Sequence, residues 1–597
     1  MSNKSSSQAP QSGPTMHKIF YIEDLVYLIV QKLSVTSRPR FAYFSETPSY
    51  DHLHWLAPDV KDDVRNLGQV GRVFREPCLN ALWCHQEGLS KLFYMISAVE
   101  SVPREGPREV GFPSNVWTLK RPLRAEDIAT ISFYSTRIQE MDLQDRLMIH
   151  PWKQPAFDVS LPLGTILFPQ LRHLLWVCNG AVNWNLEFVL NSTGDGLKEV
   201  TGEASYNFNP KAMAMMEERR HDLSHIRLLQ DWTEDDTRND MIKFFRDILP
   251  DANNLRDLFL DFTYEHYLNM WDAIPLFPLL SRLSFCCLTA RPSAPLSNQT
   301  LTSLTIYIRD AQFFRRALKN VAFTSLREFE LTSGVLAGFS AEVFRLLLRS
   351  IITACTDSPL TSLLVRTYDN HDINPLAPIP EDPDTSDENI LGLDDLRPLM
   401  KKYPTLEVLH LGVGLPWALH DDAIREVVSV WGRGIRSLRL DPNGGWSTTK
   451  CATFAGLEHI AMHCPRLTTL GLYFVGSPPA SICSATVHID AGKRSTGPYR
   501  NEALRDLYVG CSPLDPFAVN DMAMYLSMRF PNLETIKPAE RMRTQLDPPE
   551  LLTNNGDRRR VGQTVKRLTG PFQRWEMVED IVPMVGLARK QERLALI

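Results

Sequence analysis

Apolar and polar positions alternate in a short phrase that returns along most of this chain: leucine, two residues, an apolar residue, one residue, an apolar residue. The end of each phrase has a period of two, which predicts a strand with one buried face. Clean copies begin at Leu255, Leu280, Leu301, Leu326 and Leu406, and 435–440, 467–472 and 504–509 continue the series. Steps between strand starts run from 21 residues (280 to 301) to 46 residues (360 to 406), which indicates an irregular repeat.

Helices are predicted between these strands. Several copies are entered through an aromatic residue or cysteine followed by proline, one residue and leucine, beginning at Phe168, Phe277, Tyr403, Cys464 and Phe530. Proline cannot continue a helix and favours extended geometry before it, so each junction predicts a helix end, a turn and a strand start. Helical spacing marks 341–355, 421–431, 454–464 and 521–530. The predicted fold class is therefore α/β, an irregular leucine-rich-repeat solenoid over 130–540 with parallel strands on the concave face and helices outside.

Four segments depart from the repeat. The Ser-, Gln- and Pro-rich residues 1–15 are expected to form a disordered tail, and 367–395 an acidic, proline-rich loop. Residues 541–597 are expected to form a linker and a C-terminal helical cap. Residues 16–100 form a separate helical pattern: Leu25, Leu28, Ile29 and Leu33 share one helix face, and two short helices over 62–83 are broken around Gly71, with an insertion at 34–61.

The second part of this N-terminal module carries a resemblance to a known family. It resembles the F-box, in the form common in fungal proteins with leucine-rich repeats, and the matching residues are Leu67, Val70, Arg72, Val73, Phe74, Arg75, Glu76, Pro77, Leu79, Leu82 and Trp83. Residues 133–138 and 575–578 resemble such proteins as well. An F-box joined to leucine-rich repeats implies a substrate-recognition subunit of a Skp, cullin and F-box ubiquitin ligase. The implied partners are a Skp-type adaptor with its cullin complex and a target protein of unknown identity.

Two sets of candidate binding residues follow. The resemblance implies a set of residues that either contact the adaptor or directly support those contacts. They are Leu25, Leu28, Ile29, Leu33, Val70, Phe74, Pro77 and Trp83. The strand pattern places a second set outward on the concave face, rich in the aromatic and arginine side chains of interface hot spots. These candidate target-binding residues are Phe259, Asp261, Tyr307, Arg366, His410, Arg439, Tyr473 and Tyr508.

Composition narrows the other function classes. The 64 basic and 70 acidic residues give a net charge of -6, which does not favour nucleic acid or a membrane surface as a partner. Ten cysteines among 597 residues are sparse, and most of them lie in apolar settings, as expected of free thiols. The pattern contains neither a secretory signal nor an apolar run of membrane-spanning length, so we expect a cytoplasmic or nuclear protein.

Motifs of catalysis are absent from the sequence: it has no G-x-S-x-G elbow, P-loop, dinucleotide fingerprint or kinase signature. His459 and His463 could share a metal on one helix face, but the following glutamate of zinc peptidases is missing, so we expect helix packing and no metal. Asp421 and Asp422 are expected to cap a helix. We therefore predict a non-enzymatic adaptor without cofactors.

Two alternatives remain open at this point. One is a repeat scaffold with a degenerate F-box acting outside ubiquitination, since Ile22 is followed by Glu23 where the family usually has proline and since 34–61 enlarges the module. The other is an enzyme whose site has no recognisable motif.

Overall fold

The structure is a computed structural model of the whole chain. It describes residues 28–30, 58–103, 115–143, 164–178, 184–204, 214, 217–229, 251–261, 269–287, 291–308, 311–333, 340–367, 390–441, 451–475, 500–510, 512–538, 573–588 and 591. The chain divides into two compact units, Met1–Asp257 and Leu258–Ile597. The predicted module boundary near residue 100 does not coincide with this division and stays a prediction.

The first unit begins with a small helical core. Residues 28–30 are helical and are followed by α1 (Pro58–Val70) and α2 (Arg72–Cys84). Gly71 separates these helices in an extended conformation, with φ -167° and ψ 155°, as the sequence predicted. Val30, Val64, Phe74 and Cys78 are buried together, because they are the apolar positions that the helices turn toward one another.

A parallel sheet follows in the first unit. Its described strands are β1 (His85–Glu87), β4 (Glu140–Asp142), β5 (His173–Cys178), β6 (Glu199–Ala204) and β7 (His225–Leu229), paired in chain order. The connections contain α3 (Ser90–Tyr94), the antiparallel pair β2 (Val99–Pro103) and β3 (Asn115–Leu119), α4 (Ala125–Ser135) and α5 (Trp184–Asn191).

The second unit repeats the same arrangement. Its main described strands are β8 (Asp257–Asp261), whose first residue belongs to the first unit, β9 (Arg282–Cys287), β11 (Ser303–Ile308), β13 (Glu328–Ser333), β14 (Ser362–Thr367), β16 (Val408–Gly412), β18 (Ser437–Leu440), β19 (Thr469–Gly471), β20 (Asp506–Gly510) and β21 (Thr535–Pro538). From β9 onward every neighbouring pair is parallel. Short parallel pairs join β10 (Leu296–Asn298) to β12 (Val321–Phe323) and β15 (Leu391–Gly392) to β17 (Trp417–Ala418).

Helices alternate with these strands. They are α6 (Met270–Ala273), α7 (Ala311–Leu318), α8 (Ala341–Ala354), α9 (Leu393–Lys402), α10 (Asp421–Trp431), α11 (Phe454–His463), α12 (Val519–Arg529) and α13 over 573–588, with 3-10 turns at Ile274–Leu276 and Pro516–Ala518. None of the described helices is both long and apolar enough to cross a membrane.

Strand register explains why the phrase recurs. The first apolar position of each strand pairs with its equivalent in the next, which forms one buried row: Leu283, Leu304, Phe329, Leu363, Leu409, Leu438, Leu470, Leu507 and Ile536. Each side chain therefore packs against the same position of its neighbours, and the sheet buries a continuous apolar face against the helices. The opposite side chains stand on what we call the polar face.

The proline junctions also bind successive repeats. The Tyr403 hydroxyl donates to the carbonyl of Cys355 at 2.8 Å, and the Trp431 ring N–H donates to the carbonyl of Tyr403 at 2.8 Å. Asp421 does cap a helix, but the helix is that of the next repeat. Its carboxylate accepts from the Thr453 amide at 2.7 Å and from the Gly456 amide at 2.9 Å, whereas His420 caps α10 itself.

The predicted mixed α/β repeat with a large parallel sheet is confirmed at this level. Of the predicted acidic loop 367–395, residues 391–395 belong instead to β15 and the first turn of α9, where the Asp395 carboxylate accepts from the Gly392 amide at 2.8 Å. Residues 368–389, 1–15, 34–57 and 541–572 lie outside the described residues. Helix α13 packs beside β21, since Glu579 accepts from the Ile536 amide at 3.1 Å.

Candidate functional site

One row of the polar face gathers charged and aromatic side chains from five consecutive strands. His410, Arg439, Gly471, Tyr508 and Lys537 are paired in register across β16, β18, β19, β20 and β21. We call these five positions the basic row. Each lies four residues after the first apolar residue of its phrase, so the parallel sheet places all five side by side.

Two cations of the basic row converge on one ring. The Arg439 guanidinium carbon lies 3.8 Å from the centre of the Tyr508 ring, and the Lys537 nitrogen lies 4.9 Å from it. Lys537 also donates to the Tyr508 hydroxyl at 3.1 Å. Both distances fall within the range of cation–π contacts, so the ring holds the two positive charges near each other.

Gly471 makes this arrangement possible. Arg439 and Tyr508 are two strands apart, and Gly471 occupies the register position between them. A Cβ at position 471 would lie 2.9 Å from Cγ of Arg439, which is closer than two carbon atoms can approach. The arginine therefore lies across a strand that has no side chain at that point.

Charged side chains also lie on β13 and β14, next to the His410 end of the basic row. Arg366 pairs with Glu330 at 2.5 Å, and the Nε2 atom of His410 lies 2.6 Å from the Ser437 hydroxyl. Burial, with the positive charges of Arg439 and Arg366, lowers the pKa of His410 to about 3. His410 is therefore neutral at physiological pH and acts there as a hydrogen-bonding group.

The other predicted target-binding residues are placed as follows. Phe259 and Tyr307 meet edge to face with ring centres 6.4 Å apart, and Tyr473 is partly buried. Asp261 ends β8, and its side chain lies outside the described residues. Sequence reasoning missed Gly471, Lys537 and Glu330. Aligning the phrases on their first apolar residue would have found the first two, because both occupy the same phrase position as His410, Arg439 and Tyr508.

The predicted adaptor residues of the N-terminal module fall into an exposed group and a buried group. Leu28 is 50% exposed and Val70 is 72% exposed, so both can contact a partner. Phe74, Pro77 and Trp83 are buried, so they can only support such a contact from within. Ile29 is partly buried, and Leu25 and Leu33 lie outside the described residues.

Segment 133–138, which resembles the same family, contacts this module. The Tyr134 ring lies 4.6 Å from the Trp83 ring, and Arg137 pairs with Glu76 at 2.6 Å. Two sequence signals separated by about fifty residues are thus brought together around the end of α2.

A ladder of histidines and glutamates, which sequence reasoning missed, crosses the sheet of the first unit. His85, Glu140, His173, Glu199 and His225 occupy paired positions on five parallel strands, so histidine and glutamate alternate. The His85 and His173 Nδ1 atoms lie 2.9 and 2.8 Å from the carboxylates of Glu140 and Glu199 respectively.

In this ladder His173 and Glu199 shift the pKa of one another. Burial alone would lower the pKa of His173, but the hydrogen bond and charge of Glu199, with the charge of Glu140, outweigh it and raise that pKa. Burial opposes the ionisation of Glu199, yet His173 and Arg227 hold its pKa below the ordinary value. Each partner therefore favours the charged form of the other.

Metal and thiol chemistry have little support in the part of the chain that is described. No group of three His, Cys, Asp or Glu residues that could hold a metal ion occurs there. The rings of His459 and His463 stack with centres 6.4 Å apart. Burial raises the pKa of the Cys355 and Cys464 thiols to about 12, so both are unreactive.

Comparisons with known proteins place the chain in no family. No model of a protein family matches it, and no curated protein matches it. Among solved structures it is similar to a chain in the crystal structure of the Rad7 and Elc1 complex in yeast, with 14% sequence identity over 70% of this chain and 82% of the other. The TM-score is 0.33, which is too low to describe the two chains as sharing a fold.

Proposed function

We propose that this protein is the substrate-recognition subunit of a cullin-type ubiquitin ligase. The N-terminal module binds a Skp-type adaptor, and the polar face of the repeats binds a target protein. The chain contributes proximity and orientation to ubiquitin transfer and no catalytic group of its own.

The observation that carries the proposal is the exposure of apolar residues on the module. Leu28 and Val70 remain on its surface, although Val30, Val64 and Phe74 are packed inside. Exposed aliphatic side chains on short packed helices are suited to bury against an apolar partner surface. The residues that resemble an F-box, from Leu67 to Trp83, lie in α1 and α2 and at Gly71 between them, and Val70 is the last residue of α1.

The test is capture of the full chain by an immobilised, purified Skp-type adaptor. The double variant Leu28→Asp with Val70→Asp places two charges on the module surface while its core stays intact, and we expect it to lose at least about tenfold in capture. Phe74 is unsuitable for this purpose, because it is 3% exposed and its truncation would disturb folding.

A matched control comes from a pair of positions elsewhere that is at least as exposed. Tyr94 is 71% exposed and Phe517 is 94% exposed, so Tyr94→Asp with Phe517→Asp introduces the same charge outside residues 28–30, α1 and α2. Capture should be retained in this control. If the unaltered chain captures no adaptor, the protein is a scaffold with a degenerate module; if both double variants lose capture equally, the proposed surface is wrong.

A further inference from the structure

The turn between α1 and α2 presents an apolar side chain beside two cations. Val70 is 72% exposed at the end of α1, and the exposed Arg72 and Arg75 lie in the first turn of α2. The two arginines are three positions apart, so they share one side of the helix. Residues 66–75 contain no acid, although the chain as a whole carries a net charge of -6. Positive charge is thus concentrated next to Val70 on an acidic protein.

The fold itself does not use these two arginines. Among the residues that the structure describes, no carboxylate lies within ion-pair distance of either guanidinium. Two nearby acids have other partners, since Glu76 pairs with Arg137 at 2.6 Å and Asp62 pairs with Arg65 at 2.8 Å. Asp63 is exposed but lies two turns before the end of α1. The charges of both arginines are therefore available to a molecule in solution.

The start of α2 is also an unfavourable place for positive charge. The first turn of a helix has free N–H groups and a partial positive charge, so acids stabilise it and cations do not. Helices α4, α9 and α10 each begin with two acids, which are Glu126 and Asp127, Asp394 and Asp395, and Asp421 and Asp422. Helix α2 has no acid in its first turn, and no side chain caps it. A feature that local rules disfavour and the fold does not use is expected at a binding surface.

We propose that Val70, Arg72 and Arg75 form one docking surface for a partner whose complementary surface is acidic. Carboxylates of the partner face the two guanidinium groups, while Val70 is buried against an apolar position between them. The partner is the Skp-type adaptor, so this proposal rests on the function proposed above. It adds the charge of the adaptor surface and two contact residues that the predicted adaptor set does not contain.

An acidic protein fits this surface better than a nucleic acid does. Binding to nucleic acid depends on several cations that each contact a phosphate, whereas only two cations lie at this turn. The exposed side chain between α1 and α2 is aliphatic, and such a side chain is buried best by an apolar protein surface. Charges at the rim of an apolar contact mainly accelerate association with a partner of opposite charge.

The experiment measures association of the purified full chain with an immobilised, purified Skp-type adaptor by biolayer interferometry. It is carried out at about 50 mM and about 500 mM sodium chloride, between which the screening length falls from about 14 Å to about 4 Å. We expect the association rate constant to fall at least about tenfold as salt is raised, and the dissociation rate constant to change much less.

The site variant is Arg72→Glu with Arg75→Glu. It should lower the association rate constant at least about tenfold at low salt and remove most of the salt dependence. Its matched control, Arg433→Glu with Arg466→Glu, makes the same change of charge at exposed positions just after α10 and α11, and should change the rate less than about twofold. Because glutamate suits a helix start, the site variant should unfold at an equal or higher urea concentration, which separates lost contact from lost folding.

A third variant tests direct contact with carboxylates. Arg72→Lys with Arg75→Lys keeps both charges, so rapid, salt-dependent association should be retained. The introduced amines also allow coupling by a carbodiimide, which joins an amine to a carboxylate that it touches. Mass spectrometry of the coupled complex should find cross-links between residues 72–75 and acidic residues of the adaptor.

Four results would overturn the proposal. Equal slowing in the site and control variants would mean unspecific charge attraction. Capture that responds neither to salt nor to the site variant, or a complex without these cross-links, would refute the acidic surface and leave the adaptor role intact. No capture of the unaltered chain at either salt concentration would refute both. Tighter binding of a labelled single-stranded oligonucleotide, lost in the site variant, would assign the arginines to nucleic acid.

Discussion

The titration of His410 provides the sharpest physical test of the second unit. Its pKa is lowered from 6.5 to about 3, first by burial and then by Arg439 and Arg366. In the unfolded chain the histidine takes up a proton near pH 6.5, whereas in the folded chain it stays neutral until much lower pH. Its contribution to stability is therefore present above pH 6.5 and is lost as pH falls toward 3.

The magnitude follows from proton linkage. Between pH 7.5 and pH 4.5 the unfolded state gains about RT ln 100 from protonating this histidine, and the folded state gains almost nothing, so the free energy of unfolding falls by about 2.7 kcal/mol. A folded-state pKa of about 4 would change this value by only about 0.2 kcal/mol, because the loss is governed by the unfolded state. His410→Gln keeps a hydrogen-bonding group beside Ser437 but cannot be protonated.

The assay compares the original chain with His410→Gln by urea unfolding, followed through tryptophan fluorescence, at pH 7.5 and pH 4.5. Trp417 and Trp431 are buried in the same unit and report its unfolding. The variant should lose about 2.7 kcal/mol less than the original chain over this interval, since contributions from all other groups cancel. In histidine-selective NMR, the His410 signal of the original chain is identified by its absence from the variant, and this signal should not titrate above pH 4.5. A midpoint near pH 6, or equal acid sensitivity of the two proteins, would refute the reasoning.

Three further predictions concern stability. Glu199→Gln should lower the pKa of His173 and reduce the free energy of unfolding by about 1 kcal/mol at pH 6 and by less at pH 8.5. The stability that comes from the raised histidine pKa is complete below pH 6.5 and is lost as pH rises through the folded-state value. Urea unfolding at both pH values checks this, and an equal cost would contradict it. Gly432→Ala should reduce the free energy of unfolding by about 3 kcal/mol, since its Cβ would lie 2.6 Å from the backbone carbonyl oxygen of His463 at the end of the next helix. Gly434→Ala should be nearly neutral, because the nearest atoms to its Cβ would lie 3.8 Å away. Equal unfolding midpoints of the two variants would show the packing argument to be wrong. Tyr403→Phe should cost about 1–2 kcal/mol by removing a buried 2.8 Å hydrogen bond to a carbonyl of the preceding repeat, and an unchanged unfolding free energy would mean that this bond contributes nothing.

Local elements of the fold were predictable because their signals are local. The period-two phrases anticipated strands such as Ser303–Ile308 and Val408–Gly412, and the helical spacing anticipated Asp421–Trp431 and Phe454–His463. Asp421 illustrates the limit. Its position before an apolar helix pattern predicts a cap, but its carboxylate binds the amides of Thr453 and Gly456, more than thirty residues further on. A side chain can satisfy whichever orphan amides come within reach, and which ones do depends on how the repeats stack.

The candidate surfaces were predictable only in part. Alternation identified which strand residues face away from the core, so Arg439 and Tyr508 were named without knowledge of their contact. For the module, helical spacing could not distinguish exposed Val70 from buried Phe74, because both are apolar positions of one helical hairpin. Burial depends on what covers each side of the helices, which is tertiary information.

The alternation of strands and helices, the apolar row and the charged side chains on the opposite face can all be read from the sequence, because each depends on periodicity within a short segment. Which of those side chains meet depends on the stacking of the repeats. Strand register brought Arg439 across Gly471 to Tyr508, and it aligned histidines and glutamates from His85 to His225 in one ladder. Parallel pairing joins residues that are tens of positions apart, and the connecting segments, whose lengths vary along the chain, set the separation in sequence without fixing the register in space.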